Sequence, residues 1–178
     1  MTFENDRALV REAIARDPAF AGLDLSEALS DMNAAAHSDQ MILAAMRVLA
    51  GAGNGHSRVI PNAAIKVWPV RIVARPEGFG WVRETAVIPL ETVNGVPVME
   101  VLDQLRPLLA GTPARQSVIG AILLAWPAAL GAQTVAYGAW DGVEHLGADA
   151  LVPALPLYPV SETGRPDLGW GTAPPVVR

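Results

Sequence analysis

At 178 residues the chain is sized for one ordinary domain or two small packed lobes. Hydrophobic residues make up 51% and charged residues 17%, below the usual charged share of about 25%, which argues against intrinsic disorder and a coiled coil. A net charge of -5 with no basic run argues against nucleic acid as a partner, and the absence of cysteine excludes disulfides, a thiol nucleophile and thiolate metal sites.

The start, Met1-Thr2-Phe3-Glu4-Asn5-Asp6, is polar and acidic and has neither part of a secretory signal. It implies a cytoplasmic location as written, or a periplasmic one where a leader has been removed. Leu9, Val10, Ala13 and Ile14 form the apolar stripe of a first helix that Asp17-Pro18 ends, since the residue before proline avoids the α region. A second helix starts near Leu25, with Asp24 or Ser26 as its N-cap. The third starts at Ser38, which suits an N-cap; it carries Met41, Ile42, Ala45, Val48 and Leu49 on one face and ends at Gly51.

Beyond the glycine-rich run 51–55 the period changes to two. Ile65 to Ala74 reads as a strand, Pro76-Glu77-Gly78 as a turn, and Phe79 to Val87 as the returning strand. Leu90 to Val93 then meets Asn94-Gly95, the signature of a tight type I′ turn. Val98, Val101, Leu102, Leu105 and Leu109 predict an amphipathic helix, and Thr112-Pro113 opens another. The apolar stretch Val118 to Ala132 holds Pro127 and is shorter than the roughly 20 residues that span a bilayer. It reads as a buried helix that stops before the proline, and no membrane partner is expected. Two short strands, Thr134 to Trp140 and Val143 to Leu146, flank an Asp141-Gly142 turn, and the proline-rich end reads as irregular. The fold class is therefore α+β: a helical lobe (1–52), a β-rich lobe of hairpins with two helices and PDZ-like elements (53–152), and a linker-like tail (153–178).

The chemistry concentrates at Gly53-Asn54-Gly55-His56-Ser57-Arg58. A histidine between a helix and a strand has its backbone held on both sides and its imidazole free to face a cleft, as a general base requires. The ordinary alternative is that His56 closes the turn by hydrogen-bonding a carbonyl. His56 and Ser57 are neighbours, so on an extended strand they face opposite ways and cannot pair as base and nucleophile. No G-x-S-x-G elbow or S-x-x-K pair is present; Lys66, in the first strand, is expected to meet solvent, and Ser26 and Ser38 suit helix caps. His37, Asp39, His56 and His145 match no standard zinc spacing, and the run 51–55 follows a helix and leads into a strand, the wrong order for a phosphate loop. Neither metal nor cofactor is expected. For Trp68, Trp81, Trp126, Trp140 and Trp170 the default is core or hairpin packing.

In order, Gly53-Asn54-Gly55-His56-Ser57-Arg58, Trp68-Pro69-Val70-Arg71-Ile72, Gly80-Trp81-Val82 and Thr92-Val93-Asn94-Gly95-Val96-Pro97-Val98, with Val101-Leu102 after them, resemble the amino-terminal part of the tail-specific (carboxy-terminal-processing) serine peptidases, from about Leu25 to Tyr158. The resemblance implies that His56 is the general base of the tricorn-like branch, with Asn54, Ser57 and Arg58 beside it in the substrate cleft. The position before the histidine, serine in that branch, is Gly55 here, and the bacterial processing branch uses a serine–lysine pair instead. The family's serine stands in an α/β domain that follows the region matching Pro153 to Trp170. The chain then contributes a histidine and part of a cleft for a peptide or unstructured protein segment, and is inactive until that serine domain joins it in cis or trans. The second reading is a non-catalytic peptide-binding or scaffold module that uses a sheet edge.

Overall fold

The computed structural model describes residues 3–53, 59 and 64–154. The fold is α+β, with a helical amino-terminal region followed by a β-rich part. The chain divides into two compact units, Met1–Val59 with Arg106–Gln116, and Ile60–Leu105 with Ser117–Arg178.

The first unit is built on α1 (Glu4–Arg16), α2 (Ser26–Ala34) and α3 (Ser38–Gly51). Its core gathers Phe3, Val10, Ala28, Met32, Met41, Ala45 and Val48, with Ile14 and Leu25 packed against it. Phe3, Val10 and Ile14 recur at seven and four residues on one face of α1, which leaves Leu9 on the solvent side, 63% exposed. Asp17 is extended before Pro18 and its carboxylate accepts from the Ala19 N–H at 2.9 Å. Arg7 donates to the carbonyls of Met32, Asn33 and Ala35 at 3.1, 2.9 and 3.2 Å, satisfying the C-terminal end of α2.

Three helix boundaries differ from expectation. Ser38 is the first helical residue and His37 the N-cap, without a side-chain cap; the Gln40 side chain instead reaches back to accept from Ala36 N–H at 2.9 Å. The positive φ that ends α3 belongs to Gly53 (64°), because Gly51 is still helical, with its open face against Leu25. At α2 the N-cap is Leu25, without a side-chain cap, instead of Asp24 or Ser26, which is the first helical residue; Asp24 accepts from the Ser26 N–H at 3.0 Å, and hydrogen bonds from Ser26 hold its carboxyl below the usual range.

The second unit contains three small antiparallel sheets. Its strands are β1 (Ile65–Val67), β2 (Arg71–Arg75), β3 (Gly78–Arg83), β4 (Ala86–Pro89), β5 (Thr92–Val93) and β6 (Val96–Pro97). After α4 (Val98–Leu105), α5 (Pro113–Leu123) and α6 (Pro127–Leu130) come β7 (Val135–Ala139), β8 (Gly142–Leu146) and β9 (Val152–Ala154). The expected strand from Ile65 to Ala74 is broken at Trp68, whose N–H donates to the Ala125 carbonyl at 2.9 Å. As a result β1 pairs with β9 while β2 pairs with β3. The expected strand Phe79 to Val87 turns at Glu84-Thr85, with Glu84 at φ 51°, and returns as β4. Pro153, expected in irregular chain, stands opposite Lys66 in a two-stranded sheet, where an edge tolerates its missing N–H.

Asn94 (φ 53°) and Gly95 (φ 77°) form the tight turn between β5 and β6, as both positions of a type I′ turn demand. In the other hairpin Ala139 faces Gly142, so the turn residues are Trp140 and Asp141 instead of Asp141 and Gly142. The strained φ, 142°, falls on Gly142, the first residue of β8. Trp68, Trp126, Tyr137, Ile72, Leu123, Leu124 and Val93 are the largest fully or nearly fully buried side chains of this unit. α5 stops at Leu123, ahead of Pro127, and among the described residues no helix is long and apolar enough to cross a membrane.

Candidate functional site

The residues singled out for catalysis and substrate binding, His56, Asn54, Ser57 and Arg58, lie outside the described residues. Their described flanks are defined: α3 and Gly53 lead in, and Val59 packs against the helical core. Lys66 is exposed, as expected of a strand residue facing solvent. Trp170 also lies outside the described residues. Trp68, Trp81 and Trp126 are buried, whereas Trp140 is 72% exposed at a hairpin tip, against the expectation of packing.

Among the described residues no three histidine, aspartate or glutamate side chains gather to hold a metal. Tyr137 is committed inside the fold: its hydroxyl donates to the Leu124 carbonyl at 2.7 Å, and burial raises its pKa far above the ordinary tyrosine range, so it stays protonated. Its ring lies 5.8 Å from that of Trp81, tilted by 50°.

One concave surface of the described residues lies on the sheet β6-β5-β7-β8. A cleft of about 380 Å³ opens at one end of it, its walls including Asn94, Thr134, Ala136, His145, Leu146 and Gly147. The Asn94 N–H donates to the Ala136 carbonyl at 2.7 Å, and the Asn94 side-chain oxygen accepts from the Ala136 N–H at 2.8 Å. Trp68 Nε1 donates to the Gly147 carbonyl at 3.2 Å and holds the far end of the wall. His145 is exposed, opposite Ala136 in register.

At the other end of β8, Arg83 stacks over Trp81 at 4.7 Å and pairs with Asp141 at 2.9 Å and, more distantly, Glu144 at 3.9 Å. β8 is the last strand of its sheet, and Trp140 and Val143 beside it are exposed, Val143 by 60%. The arrangement offers main-chain donors and acceptors, apolar side chains and one imidazole, the groups that hold an extended peptide. Sequence reasoning treated Asn94 as turn chemistry alone and His145 as an unmatched metal ligand. The signal that joins them is the pairing of two hairpins, which local spacing does not encode.

No protein-family model and no curated protein matches the chain. Among solved structures it is similar to mature CPAF, a chlamydial serine protease of the tail-specific-protease-like kind, at 17% identity and a TM-score of 0.47 over 84% of this chain and 33% of that one. Mature CPAF complexed with lactacystin is similar at 18% identity and the same TM-score, over 84% of this chain and 34% of that one. The chain spans about a third of the length of those structures.

Proposed function

We propose that this chain is the amino-terminal module of a tail-specific or tricorn-like serine peptidase, with His56 as general base and Asn54, Ser57 and Arg58 at the substrate cleft. The observation that carries the reading is the ordered set of motifs, three of which stand on the elements their residue types require. Val70-Arg71-Ile72 enters β2, Gly80-Trp81-Val82 lies on its partner β3, and Asn94-Gly95 makes the tight turn that feeds α4. The Val98 N–H donates to the Glu91 carbonyl at 2.9 Å and fixes the start of that helix.

Hydrolysis needs a nucleophile, and no serine in the sequence stands in an elbow or beside a lysine at catalytic spacing. A serine from an α/β domain, in cis or trans, completes the set. In that assembly the His56 imidazole takes the serine proton on attack and returns it to the leaving amine, which places it about 2.6–3.2 Å from the hydroxyl. The partner of the module is an unstructured protein segment. The test is a fluorophosphonate probe and an unstructured peptide substrate offered to the chain with and without the serine domain. Labelling and cleavage are expected only with that domain; robust labelling of the isolated chain contradicts the proposal.

A second reading, a non-catalytic module that binds peptide along a sheet edge, is favoured by a different observation. β8 ends its sheet, with exposed Trp140, Val143 and His145 along it.

A further inference from the structure

We propose that the outer edge of β8 is a docking strand for an extended, basic peptide segment, which adds to the β6-β5-β7-β8 sheet. The proposal rests on the sheet-edge reading above and supplies its register and the chemistry of its partner.

The hydrogen-bonding pattern identifies the free groups. Ala136 exchanges both main-chain bonds on its β5 side, one with Asn94 N–H and one with the Asn94 side chain, and the Gly138 carbonyl accepts from Glu91 N–H at 2.9 Å. Ala136 and Gly138 therefore face away from β8, so their partners His145 and Val143 form the non-bonded pairs of the ladder. In an antiparallel ladder the N–H and C=O groups of such residues point outward, and no strand is paired to that edge among the described residues. Val143 and His145 thus present four main-chain groups at the spacing an incoming strand requires. Their side chains share a face, and His145 also lines the cleft at that end of the sheet.

Charge selects the occupant. Residues 139–150 carry Asp141, Glu144 and Asp149 and no lysine or arginine. Arg83 from β3 is the cation seen against Asp141 and Glu144, both of which keep about a third or more of their side chains exposed. A lysine or arginine opposite Glu144 gains a cross-strand partner, and one near Trp140 finds an exposed indole face. A second copy of this chain fits less well. Antiparallel pairing that matches Val143 with His145 sets the two Glu144 carboxylates opposite each other, which repels.

The experiment measures anisotropy of a fluorescent, end-capped eight-residue peptide alternating valine and lysine, titrated with the full chain near physiological salt. A valine–glutamate peptide and a valine–lysine peptide N-methylated at alternate residues are the comparisons. The valine–lysine peptide is expected to bind about tenfold or more tightly than either, a ratio that a few cross-strand charge pairs or lost main-chain bonds produce. Val143→Pro, which removes an N–H the fold does not use, is expected to abolish binding with an unchanged melting temperature. Glu144→Lys is expected to shift preference toward the valine–glutamate peptide. Binding that Val143→Pro abolishes but charge does not affect overturns the partner assigned here while leaving the sheet-edge reading standing. Binding indifferent to both Val143→Pro and N-methylation, or no binding of any peptide, overturns both. Self-association that Val143→Pro abolishes gives the edge to a second copy and also overturns the proposal.

Discussion

The two hairpins that meet at β7 solve the same turning problem differently. Between β5 and β6 the demand for positive φ falls on the turn residues themselves, Asn94 and Gly95, and the asparagine side chain is tied into the next strand through Ala136. Between β7 and β8 the turn residues are Trp140 and Asp141, neither with positive φ, and the demand passes to Gly142 in the strand. The first hairpin is locked from both sides. The second leaves a tryptophan in solvent and one edge open, so rigidity and accessibility are divided between neighbouring strands of one sheet.

The largest break is expected at Tyr137, in the strand of the second hairpin that pairs with the first. Tyr137→Ala removes a fully buried ring stacked near Trp81 and strands the Leu124 carbonyl, a change that costs about 3–5 kcal/mol in denaturant unfolding. Next comes Gly95→Val, expected to cost about 1 kcal/mol or more, because a β-branched residue resists the φ of 77° found there. An unchanged melting temperature in that variant contradicts the account of the first hairpin. The smallest effect is at Trp140→Ser, expected within about 0.5 kcal/mol of the parent because the side chain is 72% exposed. A large loss there shows that the tip is packed and closes the comparison.

These contrasts also show what local sequence carries. Asn94-Gly95 was legible because both residue types state the dihedral the chain adopts. Asp141-Gly142 named a turn but missed its register by one residue, since a glycine is equally suited to the turn and to the strained position after it. The Glu84-Thr85 turn carried no glycine or proline of its own, so a single strand was expected where β3 and β4 stand. Apolar periodicity found α1 but assigned Leu9 to the inner stripe; the face is chosen by what packs on it, here Met32 and its neighbours. The pairing of β1 with β9 joins residues at opposite ends of the second unit, information that no local pattern holds. Of the candidate site, the order of the motifs was legible, and the described turns and strands carry three of them. The cleft at Asn94 and His145 was not, because it forms only when two hairpins lie side by side.

The measurement that bears most directly on the central claim compares this chain with its His56→Ala variant, each joined to an α/β serine domain. A general base is expected to be worth about 10²–10⁴ in peptide hydrolysis, so kcat falls by that factor while the melting temperature stays put. A variant that loses stability, with activity declining only as the protein unfolds, makes His56 a structural residue and contradicts the account.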